Sequence, residues 1–138
     1  MRFRLIGVLA LTCAGLLALL SSCKDDNPTG EEGSPSNIVF PSTNVSYQQH
    51  VQPLFNQACA FAGCHDDGQH TSPLKLTSYG NAVLSIPGIL VMNQPDQSTR
   101  VLRIEGRGGA RMPLNQNPLN QNQINGIRTW IAEGARNN

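Results

Sequence analysis

The apolar positions of this chain fall into short patterns separated by polar, glycine- and proline-rich stretches. The longest comes first. Leu5 to Leu20 is almost wholly apolar and follows Arg2 and Arg4. Such a run is too short and too close to the start for a transmembrane helix, and it reads as an export signal. From Lys24 to about Thr43 the composition turns to Gly, Pro, Ser, Asn and acid, as in a flexible tether. Val51, Leu54, Phe55 and Ala58 recur at i, i+3, i+4 and i+7. They predict a first helix running into Cys59, which Pro53 either starts or kinks. Leu74 and Leu76 flank Lys75 in a short extended piece. Thr77 and Ser78 offer caps for a short helix over "YGNAVL", Tyr79 to Leu84. Asp96 is placed to cap a third helix whose apolar positions are Val101, Leu102 and Ile104. Residues 105–118 carry Gly106, Gly108, Gly109, Pro113 and Pro118 and read as loop. The last helix is the clearest. Asn120 can cap it, Ile124, Ile127 and Ile131 form one stripe with Trp130 beside it, and Gly134 stands at the C′ position. The near-duplication in "LNQNPLNQNQ", Leu114 to Gln123, is too short for a repeat architecture.

These elements make one domain over about residues 45–138, all-α, with short helices joined by long loops. A domain this small buries a modest share of its surface and often needs a staple. Beyond the tether, which holds Phe40, the aromatic residues are only Tyr47, Phe55, Phe61, Tyr79 and Trp130. That leaves room in the core for something other than side chains. Charge excludes little else. The folded part sets Asp66, Asp67, Asp96, Glu105 and Glu133 against Lys75, Arg100, Arg103, Arg107, Arg111, Arg128 and Arg136. This is mildly basic and far from a nucleic-acid footprint, although four of the arginines crowd residues 100–111.

The cysteines divide by position. Cys13 lies in the export signal. "LLSSC", Leu19 to Cys23, resembles a bacterial lipobox, which implies a signal peptide of residues 1–22, cleavage before Cys23 and lipid on its sulfur. A plain secretory signal or an uncleaved anchor is the alternative, but the apolar run stops at Cys23. On this reading residues 23–44 are a lipidated tether that anchors the domain to a bacterial membrane in the cell envelope, the outer membrane being the expected one. "CKDD", Cys23 to Asp26, resembles a surface-export signal of lipoproteins in some Gram-negative bacteria. Cys59 and Cys64 then remain in an exported, oxidising compartment.

Those two open the segment "CAFAGCH", with His65 directly after Cys64. Three chemistries compete for it. A Cys59–Cys64 disulfide suits the compartment but staples a tiny loop and gives His65 no task. A zinc site from Cys59, Cys64, His65 and His70 needs adjacent ligands at 64 and 65, whose side chains tend to diverge. Haem attachment uses the C-x-x-C-H logic, in which each sulfur forms a thioether with a vinyl group and the adjacent histidine ligates iron. Here four residues separate the cysteines instead of two. Ala60, Ala62 and Gly63 are small enough for the extra residues to loop out.

Taken with the rest of the chain, this segment resembles a single-haem cytochrome c domain of bacterial exported proteins, in its C-x4-C-H variant. The likeness runs from about Tyr47 to Ala135 through "HVQPLFNQACAFAGCH", "SPLKLTSYGNAV", "PDQSTRVLRI", "RMPL" and "QINGIRTWIAEGA". It implies a cytochrome c-like fold, first and last helices packed across each other, wrapped around one covalent haem c. It implies Cys59 and Cys64 as anchors, His65 as the proximal ligand, and Met112 of the "MP" loop as the distal ligand. Met112 lies on a Gly- and Pro-rich loop, and a thioether there raises the reduction potential. Met92, His70 and His50 are the alternatives. Leu54, Phe55, Leu74, Leu76, Leu102, Ile127 and Trp130 are candidate walls, with helix packing as their other use. Arg100, Arg103 and Arg111 are candidates to pair with haem propionates or to line a basic rim that steers an acidic redox partner. The function implied is electron transfer with a protein partner. No nucleophile–base pair or carboxylate pair points to an enzyme. An open-site haem sensor or peroxidase, and a disulfide-stapled surface binding module without haem, remain as alternatives.

Overall fold

The computed structural model describes residues 34–68 and 72–138. The export signal, Cys23 with its lipobox, the tether up to residue 33, and His70 lie outside the described residues. Among the described residues the secondary structure is helical, with no β-strand.

Ser46 opens the first helical segment, its hydroxyl accepting from the Gln49 N–H. The first turn, Tyr47–Val51, is π-helical, and the Val51 N–H reaches back to the Ser46 carbonyl. It runs without a break into α1, Gln52–Ala58. Pro53 therefore marks the switch from wide to α-helical turns, where its missing N–H costs the ladder least. Leu74 and Leu76 are buried on an irregular extended stretch with Lys75 half out. Ser78 caps α2, Tyr79–Leu84, by accepting from the Asn81 N–H.

The third helix starts differently from the sequence expectation. Pro95–Gln97 forms a 3₁₀ turn, and α3 is Thr99–Ile104 with Ser98 at its N-cap position. Pro95 presets that turn, so Asp96 falls inside it and caps nothing. Ser98 is fully buried, and its hydroxyl accepts from the Val91 N–H (2.8 Å) and donates to the Gln94 carbonyl (3.0 Å). It ties down the preceding loop rather than the helix end.

The last helix, α4, is Gln121–Ala132. Asn120 and Gln123 form a reciprocal capping box at its start. At its end the Gly134 N–H bonds Ile131 O and the Ala135 N–H bonds Trp130 O, with Gly134 at φ +90°. This is a Schellman closure, and it needs the left-handed backbone that glycine adopts freely. Trp130 is fully buried, its indole N–H donating to Arg136 O at 2.9 Å. Its ring lies 5.5 Å from Tyr47, which meets Tyr79 edge-on at 5.1 Å. The first helical segment thus rests on the last. Val45, Val51, Leu54, Val101, Ile127 and Ile131 are likewise fully buried.

Residues 34–44 carry a tether composition but lie along α4. Ser36 and Phe40 are buried. Gln123, fully enclosed, donates to the carbonyls of Ser36 (2.8 Å) and Ile38 (3.3 Å) while its oxygen accepts from Ser34 and Asn120. Asn122 exchanges hydrogen bonds with both backbone groups of Phe40. Composition could not register this, because the attachment is made by one aromatic ring and by amides far along the chain. The Phe40 ring fills a notch at Gly126, where a Cβ would overlap it.

Gly126→Ala tests that notch. Alanine normally favours a helix interior over glycine by about 1 kcal/mol. Here the overlap reverses the sign, and we expect a net loss of about 1–3 kcal/mol in chemical denaturation. With Phe40→Gly already present, which removes both the ring and the Cβ that the new methyl would meet, the added loss disappears. A second test concerns Asp96, which pairs with Arg128 (2.8 Å) and Arg107 (3.5 Å) while Glu105 bonds both arginines. Its bond to Arg128, opposed by desolvation, holds the Asp96 carboxyl below the usual value. A depressed carboxylate stabilises the fold above its unfolded pKa, about 3.9, and that share is lost as pH falls through the folded value. Asp96→Asn should therefore narrow the gap to wild type in acid-unfolding curves below about pH 4, leaving the variant the weaker of the two at neutral pH.

Candidate functional site

The end of α1 delivers Cys59. Its N–H and that of Ala60 both bond the Phe55 carbonyl, which stops the helix. The next residues turn back: the Cys64 N–H bonds Phe61 O at 2.9 Å, and the His65 N–H bonds Cys59 O at 3.2 Å. Gly63 makes the turn at φ +82°, with open space around its α-carbon. Ala62 and Gly63 are exposed, while Cys59, Cys64 and His65 are half-buried. The two extra residues of the spacing are therefore taken up by an outward loop. Cys59 and Cys64 are free thiols.

Both cysteines and His65 line one cavity of about 400 Å³. That is within the usual size of a small-molecule or cofactor site. Leu74 and Leu76 form part of the wall. The Leu76 N–H bonds His65 O, and the His65 ring nitrogen Nδ1 lies 2.8 Å from Leu74 O. A carbonyl only accepts, so Nδ1 carries a proton, which leaves Nε2 as the ring nitrogen without a tie to Leu74. This is the arrangement that orients a metal-ligating imidazole. The loop after α3 brings Met112 to the same cavity, held by its N–H to Arg103 O at 2.9 Å.

The expected distal-ligand alternatives go elsewhere. Met92 is exposed and outside the cavity wall. His50 packs on the Phe40 ring at 5.7 Å and accepts from the Ser46 N–H through Nδ1. His70 is outside the described residues. Among the described residues no three His, Cys, Asp or Glu side chains gather as a metal cluster.

Of the seven expected wall residues, Phe55, Leu74, Leu76 and Ile127 line the cavity. Leu54 and Trp130 do not, being spent on the helix–helix core, and half-buried Leu102 packs under the Gly108 loop. Ile86, Ile89, Ile104 and Leu119 take their places. Ile86 and Ile89 sit between elements, where no periodicity marks them. Of the three expected arginines, Arg100 and Arg103 reach the wall and Arg111 lies exposed beside Gly106.

Burial sets the protonation of the groups around Arg100. It pushes the Cys59 thiol up to about 12 and the Tyr47 phenol up to about 12, each only partly offset by Arg100. Both are neutral at physiological pH. The residues present fit an iron porphyrin: two thiols and an oriented imidazole on one stretch, a soft thioether on another loop, apolar walls, and a buried cation for a carboxylate. Such a group supplies one-electron chemistry when bound. No protein-family model, curated protein or solved structure matches the chain.

The raised thiol has a direct consequence. Alkylation of Cys59 in folded, haem-free chain is expected to be slow at pH 8 and still rising about tenfold per pH unit at pH 10, read by peptide mass spectrometry. A rate that levels off below pH 9 would contradict it.

Proposed function

We propose that this protein is a single-haem c-type cytochrome that transfers electrons and is held at a bacterial membrane by lipid on Cys23. The observation that carries the reading is the meeting of Cys59, Cys64, His65 and Met112 at one cavity, although Met112 comes from the far half of the domain. Cys59 and Cys64 would hold the haem through thioethers. His65 would ligate iron through Nε2, with Leu74 O holding its ring. Met112 would supply the second axial ligand and raise the potential relative to a second imidazole. The apolar wall of Phe55, Ile86, Ile89 and Ile104 would keep water from the iron, which also favours the reduced, less charged state. The protein itself would be an electron carrier without catalytic residues. Arg103 and Arg111, which have no carboxylate partner in the described ion pairs, would favour an acidic redox partner.

The mature protein from cells that make c-type cytochromes should show a haem-stained band on a denaturing gel. Cys59→Ala with Cys64→Ala should abolish the stain, since no sulfur then remains to hold the group. An unstained wild-type band would overturn the proposal. In the stained protein, Met112→Ala should remove the methionine–iron charge-transfer band of the ferric spectrum and lower the potential. If that band is absent from wild type, the iron site is open and the sensor or peroxidase chemistry takes precedence.

A further inference from the structure

Arg100 is the one strongly buried charge among the described residues, at 6% exposure, and it also forms part of the cavity wall. Its Nη2 donates to Ala82 O, and its guanidinium lies over the Phe55 ring, 5.2 Å from the centroid. Nε and Nη1 are buried without any hydrogen-bond partner among the described residues. Burial lowers its pKa to about 10, so it stays charged at neutral pH. The titratable groups that face it are Cys59 from the end of α1 and Tyr47 from the first helical turn. Both are neutral there, and no carboxylate appears among its partners. An arginine buried with unused donors and no counter-ion among the described residues is costly. Arg103 differs, because it is half-exposed and already donates to Gly108 O at 3.0 Å.

We infer that Arg100 is the internal counter-charge for one carboxylate of the cavity's bound group, accepting that carboxylate on its unpartnered Nε and Nη1. The inference rests on the haem reading, in which the carboxylate is a propionate. It assigns the propionates unequal environments: one paired inside the protein with Arg100, the other at the mouth where water can serve it. Pairing keeps the inner carboxylate ionised across the neutral range, so the potential does not follow its protonation. Tyr47 adds no titration there, and Cys59 as a thioether would have no proton to lose.

The test uses haem-loaded full chain, with the potential measured from about pH 5 to 8. Wild type should give a nearly flat profile. Arg100→Gln leaves the inner carboxylate without its cation. Its oxidised form should be favoured by about tenfold at neutral pH. Its potential should also rise as pH falls, because reduction then takes up a proton at that carboxylate. Arg100→Lys should stay close to wild type. An Arg100→Gln protein that carries haem yet matches wild type at every pH would overturn the inference and leave the haem reading standing. Wild type without covalent haem would overturn both. If Arg100→Gln does not accumulate, infrared titration of wild type with ¹³C-labelled propionates decides. One carboxylate should remain ionised below the ordinary range of about 4–5, and two that protonate together inside it would refute the pairing.

Discussion

Tyr47, Tyr79 and Trp130 meet where three helical segments converge, and this contact holds the frame in which the cavity stands. Trp130 brings α4, Tyr47 the first helical turn and Tyr79 the start of α2. Each ring also spends its polar atom on the frame. The Trp130 indole N–H goes to Arg136 O, the Tyr79 hydroxyl to Ala135 O, and the Tyr47 hydroxyl to the Gln52 side chain. Buried aromatic rings need such partners, and together they fix orientation as well as proximity. Two further ties act at the same place. Asn138 accepts from the N–H groups of Tyr47 and Gln48, and Glu133 accepts from those of Asn44 and Val45. The first and last parts of the domain are thereby clamped through backbone donors that a helix start leaves unused.

With that side closed, the other side of the helices is free to face a hollow. None of α1, α2 and α3 exceeds seven residues. Isolated helices of that length are not stable, so their shape depends on what they pack against. Part of that packing is the frame, and part is the cavity wall. Phe55 on α1 and Ile104 on α3 present apolar surface to the hollow. An apolar group, such as the one proposed, would be the physical complement of such a wall. Filling it would add contacts to the helices that have least support of their own.

Polarity inside the hollow is sparse and placed. His65 is oriented by a main-chain carbonyl, Met112 is carried on a loop bonded to α3, and Arg100 waits on the wall with two idle donors. These three groups come from different elements and, on the proposed reading, would serve two parts of one ligand: His65 and Met112 a metal, and Arg100 a carboxylate. Neutral Cys59 and Tyr47 beside Arg100 make the cation's demand for an anion sharper, because nothing among the described residues offsets it.

The sequence by itself determined the helical character, the cap of α4 at Asn120, its closure at Gly134, and the Cys59–Cys64–His65 stretch. These are local matters, set by backbone preference and by chemistry within a few residues. It also pointed to Met112, through a loop whose glycines and proline are legible in one dimension. What it did not determine depends on partners distant in the chain. The capping duty assigned to Asp96 went unused because Pro95 built a turn and Arg128 offered a charge. Phe40 left the tether composition because Gly126 opened a notch for it. Leu54 and Trp130 served the frame, and Ile86 and Ile89 served the hollow, since apolar residues look alike until packing assigns them a side. Arg100 and Arg103 read alike as neighbouring arginines on one short helix. Only the tertiary structure separated them, because burial and the absence of a counter-ion are properties of what surrounds a residue.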